Sequence, residues 1–377
     1  MRNLYVIILL VVLLFPGISA AQSDSKKKVS FKDSLDNALD MSDYLLNKKG
    51  ILLVPTLITE PSVGYGAAGG AIYFHSAYTK KHGPPSMSGV VGGATQNGTW
   101  FGGVFHVGYW NQDRIRYIGA VVRTSLNMSF YGSGIMESLT DNPTNLNLDA
   151  WMVAQQIKFR LGTSGFFLGG RYLFLKSNNT FDIPIDIPEF QGVEFPAQLS
   201  EVTLVTNYDT RNNVFSPSKG FFIELTGTYS DEWMGGDALY GRISSTMIGY
   251  FPVSKKLSVG LRHQSNYSLG DVPFWARPIV QLRGAPVTKY QNRNTILMET
   301  EVDWNLYKRW SLVGFTGMGN AFYDFSSYDE GNSVATLGTG FRYLLMRKLG
   351  LQMGMDFAKS TSGDSAFYMV FGCSWLR

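Results

Sequence analysis

From residue 51 to residue 375 the chain is a series of short segments in which apolar and polar residues take turns. Phe221, Ile223, Leu225, Gly227 and Tyr229 are apolar or small, whereas Phe222, Glu224, Thr226 and Thr228 between them are mostly polar. A period of two sends successive side chains to opposite faces of a strand, one greasy and one wetter. At roughly 9–11 residues per spanning strand, the pattern predicts sixteen strands, at about 51–58, 63–75, 86–96, 99–110, 114–128, 148–161, 165–176, 198–209, 219–230, 238–251, 255–268, 292–305, 309–320, 333–346, 349–359 and 366–376.

The connectors alternate too. Short ones fall at 111–113, 162–164, 252–254, 306–308 and 347–348, and long ones at 129–147, 177–197 and 269–291. Short turns at one end, long loops at the other and an even strand number describe outer-membrane barrels. Asn97-Gly98 is a tight hairpin on the long-loop side, and 76–85 and 210–218 are long for the short-turn side; neither breaks the parity. The faces agree across strands. Leu351, Met353, Met355 and Phe357 are expected to face lipid, opposite Gln352, Gly354 and Asp356. Leu337, Phe341 and Tyr343 alternate with Gly338, Gly340 and Arg342, and Ile157, Phe159 and Leu161 with Gln156, Lys158 and Arg160. A charge on the lipid face near the midplane costs roughly 2–4 kcal/mol, so placing each charge inward avoids that cost. The expected fold is a 16-stranded antiparallel transmembrane β-barrel; a soluble β-solenoid or pair of sandwiches is the alternative.

Composition supports the barrel. Charged residues are 16% of the 377, against roughly 25% in soluble domains, and the net charge is +4. The basic residues are dispersed, which gives no nucleic-acid footprint. Trp100, Tyr109, Trp110, Tyr117, Trp151, Trp304, Trp310 and Trp375 lie mainly near strand ends, where interfacial girdles sit. Arg2, an apolar run at 4–15 and small residues up to Ala21 read as a secretory signal at 1–21. Residues 22–50 read as a short polar lead-in, a solvated tail or plug-like segment, in which Leu35, Ala38, Leu39 and 41–46 offer one short amphipathic helix as the alternative, and residues 51–377 form the barrel. Cys373 is the single cysteine, so no intrachain disulfide forms. His75, His82, His106 and His263 are scattered without metal-ligand spacing. No nucleophile–base set, metal motif or cofactor motif is visible, so no catalytic residue, metal or cofactor is assigned.

Two constellations stand out. The first is the turn from Tyr208 to Gly220, with Asp209, Arg211, Pro217 and Gly220. Its Asp, Asn, Ser, Pro and Gly content makes it a structured turn, and Asp209 and Arg211 pair with each other or cap backbone groups. The second is Gln281-Leu282-Arg283-Gly284 in the last long loop, beside Val272, Phe274, Trp275, Ile279 and Val280. So many apolar residues suit a loop folded back into the barrel. A buried Arg283 then needs a carboxylate, which Arg binds with a planar fork. Glu299, Glu301 and Asp303 share one face of the next strand, opposite Met298, Val302 and Trp304. With Gly284 they form a predicted luminal latch, and Arg342 and Asp356 are further luminal charges.

The Asp209-to-Gly220 turn resembles the corresponding element of the BamA/TamA superfamily of outer-membrane barrels, the bacterial surface antigen family. Leu282-Arg283-Gly284 resembles that family's loop-six motif, and Glu301 lies where its strand-twelve carboxylate is found. Gly338, Gly340, Arg342 and Tyr343 followed by Leu349-Gly350 are similar to its late strands, and the 61–66 segment to its first hairpin. The resemblance implies a chain that assists protein insertion or translocation at the Gram-negative outer membrane, through a weak seam between first and last strands. Pro55 and Trp375 are the residues assigned to that seam, since Pro55 removes a ladder donor. The implied partners are outer-membrane lipids, a periplasmic chaperone-like or lipoprotein partner, and substrate outer-membrane proteins. A passive pore or a structural anchor are the other readings. Three departures stand out: Ala285 replaces an aromatic, Gly317 an aspartate, and the chain ends Trp375-Leu376-Arg377. The periplasmic POTRA repeats of full-length relatives are expected to be absent.

Overall fold

The structure, a computed structural model, describes residues 30–47, 50–75, 83–131, 144–182 and 193–375. Signal segment 1–21, His82 and the final two residues lie outside them, as do parts of the connectors at 76–85, 129–147 and 177–197. Sixteen antiparallel strands follow one another in a single sheet, each paired with the next in sequence. They are β1 (Ile51–Ile58), β2 (Gly66–Phe74), β3 (Met87–Thr95), β4 (Trp100–Trp110), β5 (Ile115–Phe130), β6 (Thr144–Arg160), β7 (Phe166–Asp182) and β8 (Val193–Asp209), then β9 (Gly220–Ser230), β10 (Tyr240–Pro252), β11 (Leu257–Gly270), β12 (Asn294–Tyr307), β13 (Trp310–Phe322), β14 (Asn332–Met346), β15 (Leu351–Ser360) and β16 (Ser365–Phe371). The all-β, 16-stranded barrel expected from the alternation is therefore the fold. Among the described residues no helix is long and apolar enough to cross a membrane.

Four strands and one face assignment depart most from the sequence pattern. β6, β7 and β8 reach 17 residues each, because Phe130, Leu146 and Phe181 pack with Phe195 and Phe274 into a small core that keeps the long-loop ends paired. β16 stops after 7 residues, where Gly372 adopts φ +74° and turns the chain, a conformation that favours glycine. Leu351, expected on the lipid face, is 0% exposed. It lies under the chain's N-terminal segment, in a core with Leu45, Leu46, Leu52, Phe74, Leu345, Met346 and Leu349.

Residues 31–47 are thus docked rather than solvated. Arg309, between β12 and β13, donates to Asp36 at 2.7 Å and to Asp40 at 2.8 Å, and also reaches Asp33. Arg347, between β14 and β15, binds Asp33 too. The Met41 amide donates to the Leu345 carbonyl. One helical turn, Asp43–Asn47, replaces the amphipathic helix read from the sequence. Because this core takes residues from β1 and β2 on one side and β14 and β15 on the other, the segment bridges the two ends of the sheet.

The outward faces are mainly apolar; Val104, Trp151, Leu204, Ile243, Met298, Trp304, Leu337 and Phe357 are exposed, while the outward Arg123 and Asp149 pair with each other beside Trp151. The inward faces are not uniform. Around β1–β5 they carry Leu52, Val54, Ile72, Met87, Val91, Phe105, Val107, Ile118 and Val122, matched across the ladders by register. Inward glycines make room for rings there: a Cβ on Gly89 would sit 2.4 Å from the Phe105 ring. Around β6–β15 the inward side is polar and charged, with Lys158, Arg171, Glu224, Arg242, Arg262, Glu299, Arg342 and Asp356.

Candidate functional site

The loop at 271–293, between β11 and β12, carries the strongest charge cluster. Val280, Leu282, Ala285 and Tyr290 from it pack with Leu297, Ala321 and Val334 on the inward side of β12–β14. Arg283, 5% exposed, donates to Glu299 at 2.6 and 2.8 Å, meets Glu301 at 2.7 Å, and donates to Asp356 at 2.8 Å. Its guanidinium lies 3.5 Å over the Phe315 ring. Burial works against the charge, but the carboxylates of Glu301, Glu299 and Asp356 outweigh it and raise the pKa of Arg283. Asp356 also binds Arg342, at 2.6 and 3.0 Å, and Glu299 binds Arg262 at 3.2 Å. Arg262, Arg283 and Arg342 thus face Glu299, Glu301 and Asp356, three cations on three anions. Such a network tolerates burial only because each charge has a partner.

Gly284 is required by the same packing. Its φ is +92°, a Cβ there would lie 3.0 Å from Ala358, and its amide donates to the Tyr368 hydroxyl at 2.9 Å. Two sequence departures now have a physical account. A side chain on Gly317 would meet Leu282 at 2.8 Å, so the space of an aspartate is filled by the loop's own leucine. Asp356 supplies a further carboxylate on Arg283 in its place. Ala285 is buried in the loop's core, where a larger ring has less room.

Asp303, grouped with the latch from its spacing, does not join Arg283. It lines a separate cavity with Ser311 and Gln352 at the short-turn end, because two more residues along β12 carry it past the reach of Arg283. Asp356, by contrast, joins directly. Its position on an inward face was legible, but its contact was not, since it lies 73 residues from Arg283.

The turn after β8 is a brace. Asp209 accepts from Arg211 Nε and Nη2 at 2.9 Å each, and Arg116 also reaches it. Asn212 and Asn213 accept from backbone amides of Ser218, Lys219, Phe215 and Ser216. Asn213 donates to the Leu349 carbonyl at 2.6 Å, and Ser216 accepts from the Gln352 amide, so the turn reaches the β14–β15 end of the sheet. Pro217 is half-buried within it. Gly220 has φ +102°, and a Cβ there would strike the Thr210 carbonyl.

At the seam, among the described residues, no backbone ladder joins β1 to β16. Side chains just after β1 bridge them: Thr59 Oγ1 accepts from the Phe367 amide at 2.7 Å and donates to its carbonyl at 2.5 Å, and the Glu60 carboxylate bonds the Tyr368 side chain. Pro55 stands opposite Gly69, and the β1–β2 ladder runs unbroken past it. Trp375 is not a seam residue. Beyond Gly372 the chain turns inward, and Trp375 packs on Tyr250 with Phe222 and Ile248. Ser374 donates to Glu301 at 2.8 Å. The histidines also need correcting: His75 and His106 both bond Ser88 at 2.8 Å. Strand pairing brings them together across a sequence gap that spacing alone does not reveal. Among the described residues no group of three or more His, Cys, Asp or Glu is placed to hold a metal.

Sheet order, apolar exterior and charged interior define an outer-membrane β-barrel. The Omp85 superfamily domain matches residues 124–277. Solved structures of similar fold include BamA from Haemophilus ducreyi lacking POTRA domains 1–3, at TM-score 0.54 and 11% identity over 86% of this chain and 70% of that one. CdiB from Escherichia coli follows at TM-score 0.58 and 10% identity, over 84% of this chain and 62% of that one. CdiB from Acinetobacter baumannii gives TM-score 0.54 and 8% identity, over 85% and 58%. This chain thus spans less than two thirds of either CdiB chain. No curated protein matches it in sequence. The chain thus has the fold of an outer-membrane barrel like those of BamA and CdiB, and residues 124–277 resemble the Omp85 superfamily domain.

Proposed function

We propose that this barrel assists the insertion or translocation of other proteins at the outer membrane, through the seam between β1 and β16. The observation that carries this reading is the seam's bonding. Every other neighbouring pair of strands is laddered, whereas among the described residues this one has no backbone ladder and is bridged by the side chains of Thr59 and Glu60. An opened seam offers the edge donors and acceptors of β1 and β16 to an incoming strand, the general basis of strand addition. The short-turn end is then periplasmic. The loop with Arg283 acts as a luminal latch that keeps β12–β15 rigid while β1 and β16 part. Membrane lipids, a periplasmic lipoprotein or chaperone-like protein, and substrate outer-membrane proteins are the partners this reading requires. Residues 22–50 serve as the periplasmic lead-in and 51–377 as the working domain.

The test is a disulfide across the seam, Thr59→Cys with Phe367→Cys in a Cys373→Ser background. In a strain depleted of the native chain, the reduced variant should restore assembly of other barrels and the oxidised variant should not. Normal barrel assembly in the depleted strain itself rejects the proposal.

A further inference from the structure

A cavity of about 490 Å³ opens inside the barrel at its short-turn end, and its two sides differ in chemistry. One side is the apolar arc: Ile72, Met87, Val107 and Ile118 line it from β2, β3, β4 and β5. Ile118 is 45% exposed although its register partners Val107 and Gln156 place it on the inward face. Barrel interiors are ordinarily polar, so an uncovered isoleucine there calls for a ligand or a packing partner. The opposite side is cationic. Arg116, Lys158, Arg171 and Arg211 line it, and Glu224 is the carboxylate among them. Counting the ion pairs, Arg116, Arg160 and Arg211 share Asp113 and Asp209, while Lys158 and Arg171 share Glu224. Five cations therefore meet three carboxylates. Arg211 is only 5% exposed, and its Nη1 is buried without a hydrogen-bond partner. A buried guanidinium nitrogen in that state is costly unless an acceptor reaches it.

We infer that this cavity binds an acyl chain bearing an anionic head, with the chain along Ile72, Met87, Val107 and Ile118 and a carboxylate or phosphate oxygen on Arg211 Nη1. The volume falls in the range of about 300–1,000 Å³ usual for small-molecule sites. The arrangement, a greasy wall with a few convergent polar groups at one end, is what an amphiphile needs. The cavity also touches Phe371 at the end of β16 and Ile72 of β2, so it abuts both sides of the seam, and a lipid has a short way in from the bilayer. The site stands on its own geometry and does not require the protein-insertion reading.

The experiment uses the full barrel in non-ionic detergent with three photoreactive probes that carry a diazirine on the acyl chain: a free fatty acid, a phosphatidylglycerol and the corresponding uncharged fatty alcohol. Irradiation and peptide mapping should place label on the segments containing Met87, Val107 and Ile118. Labelling by the fatty acid identifies a carboxylate ligand, and labelling by phosphatidylglycerol a membrane phospholipid; either upholds the site. The alcohol should label at least tenfold less. Ile118→Glu, which charges the apolar side at an already exposed position, should lower labelling tenfold or more while the heat-dependent gel shift of the folded barrel is kept. Arg211→Gln should bring the anionic probes down to the level of the alcohol. Label confined to outward residues such as Val90 and Val104, equal labelling by the alcohol, or undiminished labelling of Ile118→Glu would overturn the inference.

Discussion

The two arcs of the barrel wall share an exterior and differ inside. Both β1–β5 and β12–β15 show lipid-compatible residues outward. Inward, the first arc carries Leu52, Ile72, Phe105, Val107 and Ile118, while the second carries Glu299, Glu301, Asp303, Arg342 and Asp356. The charged arc is tied to its loop by Arg283 and to its neighbours by full ladders. The apolar arc ends in β1, whose far edge meets β16 through side-chain bonds of Thr59 and Glu60 rather than a backbone ladder. Bonding is therefore dense in one part of the sheet and sparse in another: Arg283 ties its loop to β12 and β15, whereas β1 and β16 share no backbone ladder among the described residues.

Removing the latch should have the largest effect on this contrast. Arg283→Met leaves Glu299, Glu301 and Asp356 without their shared cation, and breaking a buried pair costs about 3–5 kcal/mol. Met87→Leu, a volume-conserving change on the other arc, should cost under about 1.5 kcal/mol. Thermal gel-shift curves of the two variants compare the arcs directly, and equal losses would erase the distinction.

Next comes the docked N-terminal segment. Arg309→Ala deletes charge-assisted bonds to Asp33, Asp36 and Asp40; such bonds weaken where water screens them, so the loss is smaller than at the buried Arg283. Proteolysis within 31–47 should rise severalfold while the strands stay protected. A smaller effect belongs to Thr59→Val, which removes both Thr59 bonds across the seam for about 1 kcal/mol each. Amide exchange should quicken in β1 and β16 and stay unchanged in β7 and β8, with Thr59→Ser behaving as wild type.

The smallest effect is that of pH. The Arg347 hydrogen bond, with help from the Leu35 amide, pulls Asp33 from its ordinary 3.8 to about 2. A carboxyl depressed on folding stabilises fully above its unfolded value and loses that contribution as pH falls through the folded one. Asp36 and Asp40, facing Arg309, shift in the same direction. Protease access to 31–47 should therefore be constant from pH 7 to pH 5 and increase only below 3.8 toward about 2. Release at pH 5 would show that these pairs do not hold the segment.

Most strands were legible because lipid on one side and charge on the other enforce alternation. β1 was placed at its observed ends, and β9 and β12 within two residues of theirs. The Arg283–Glu299–Glu301 group was legible for the same reason: one face of β12 repeats acids, and a buried arginine needs them. What local patterning missed has a common cause. Asp356, the His75–Ser88–His106 contact and the Arg309 carboxylates join residues far apart in the chain, and a period of two says which face a residue takes but not which distant residue shares it. Leu351 and Trp375 were assigned to lipid and seam because both fit the alternation; a docked segment and a glycine turn decided otherwise.

By itself the sequence determined the strand number, the apolar exterior and the inward placement of charge, since each follows from side-chain period and the cost of ionic groups in hydrocarbon. Tertiary structure alone decided which carboxylates meet Arg283, that the N-terminal segment spans both ends of the sheet, and that Thr59 and Glu60 reach across to β16. Those are questions of closure and register, settled only when strands remote in sequence are brought to within a few ångströms of one another.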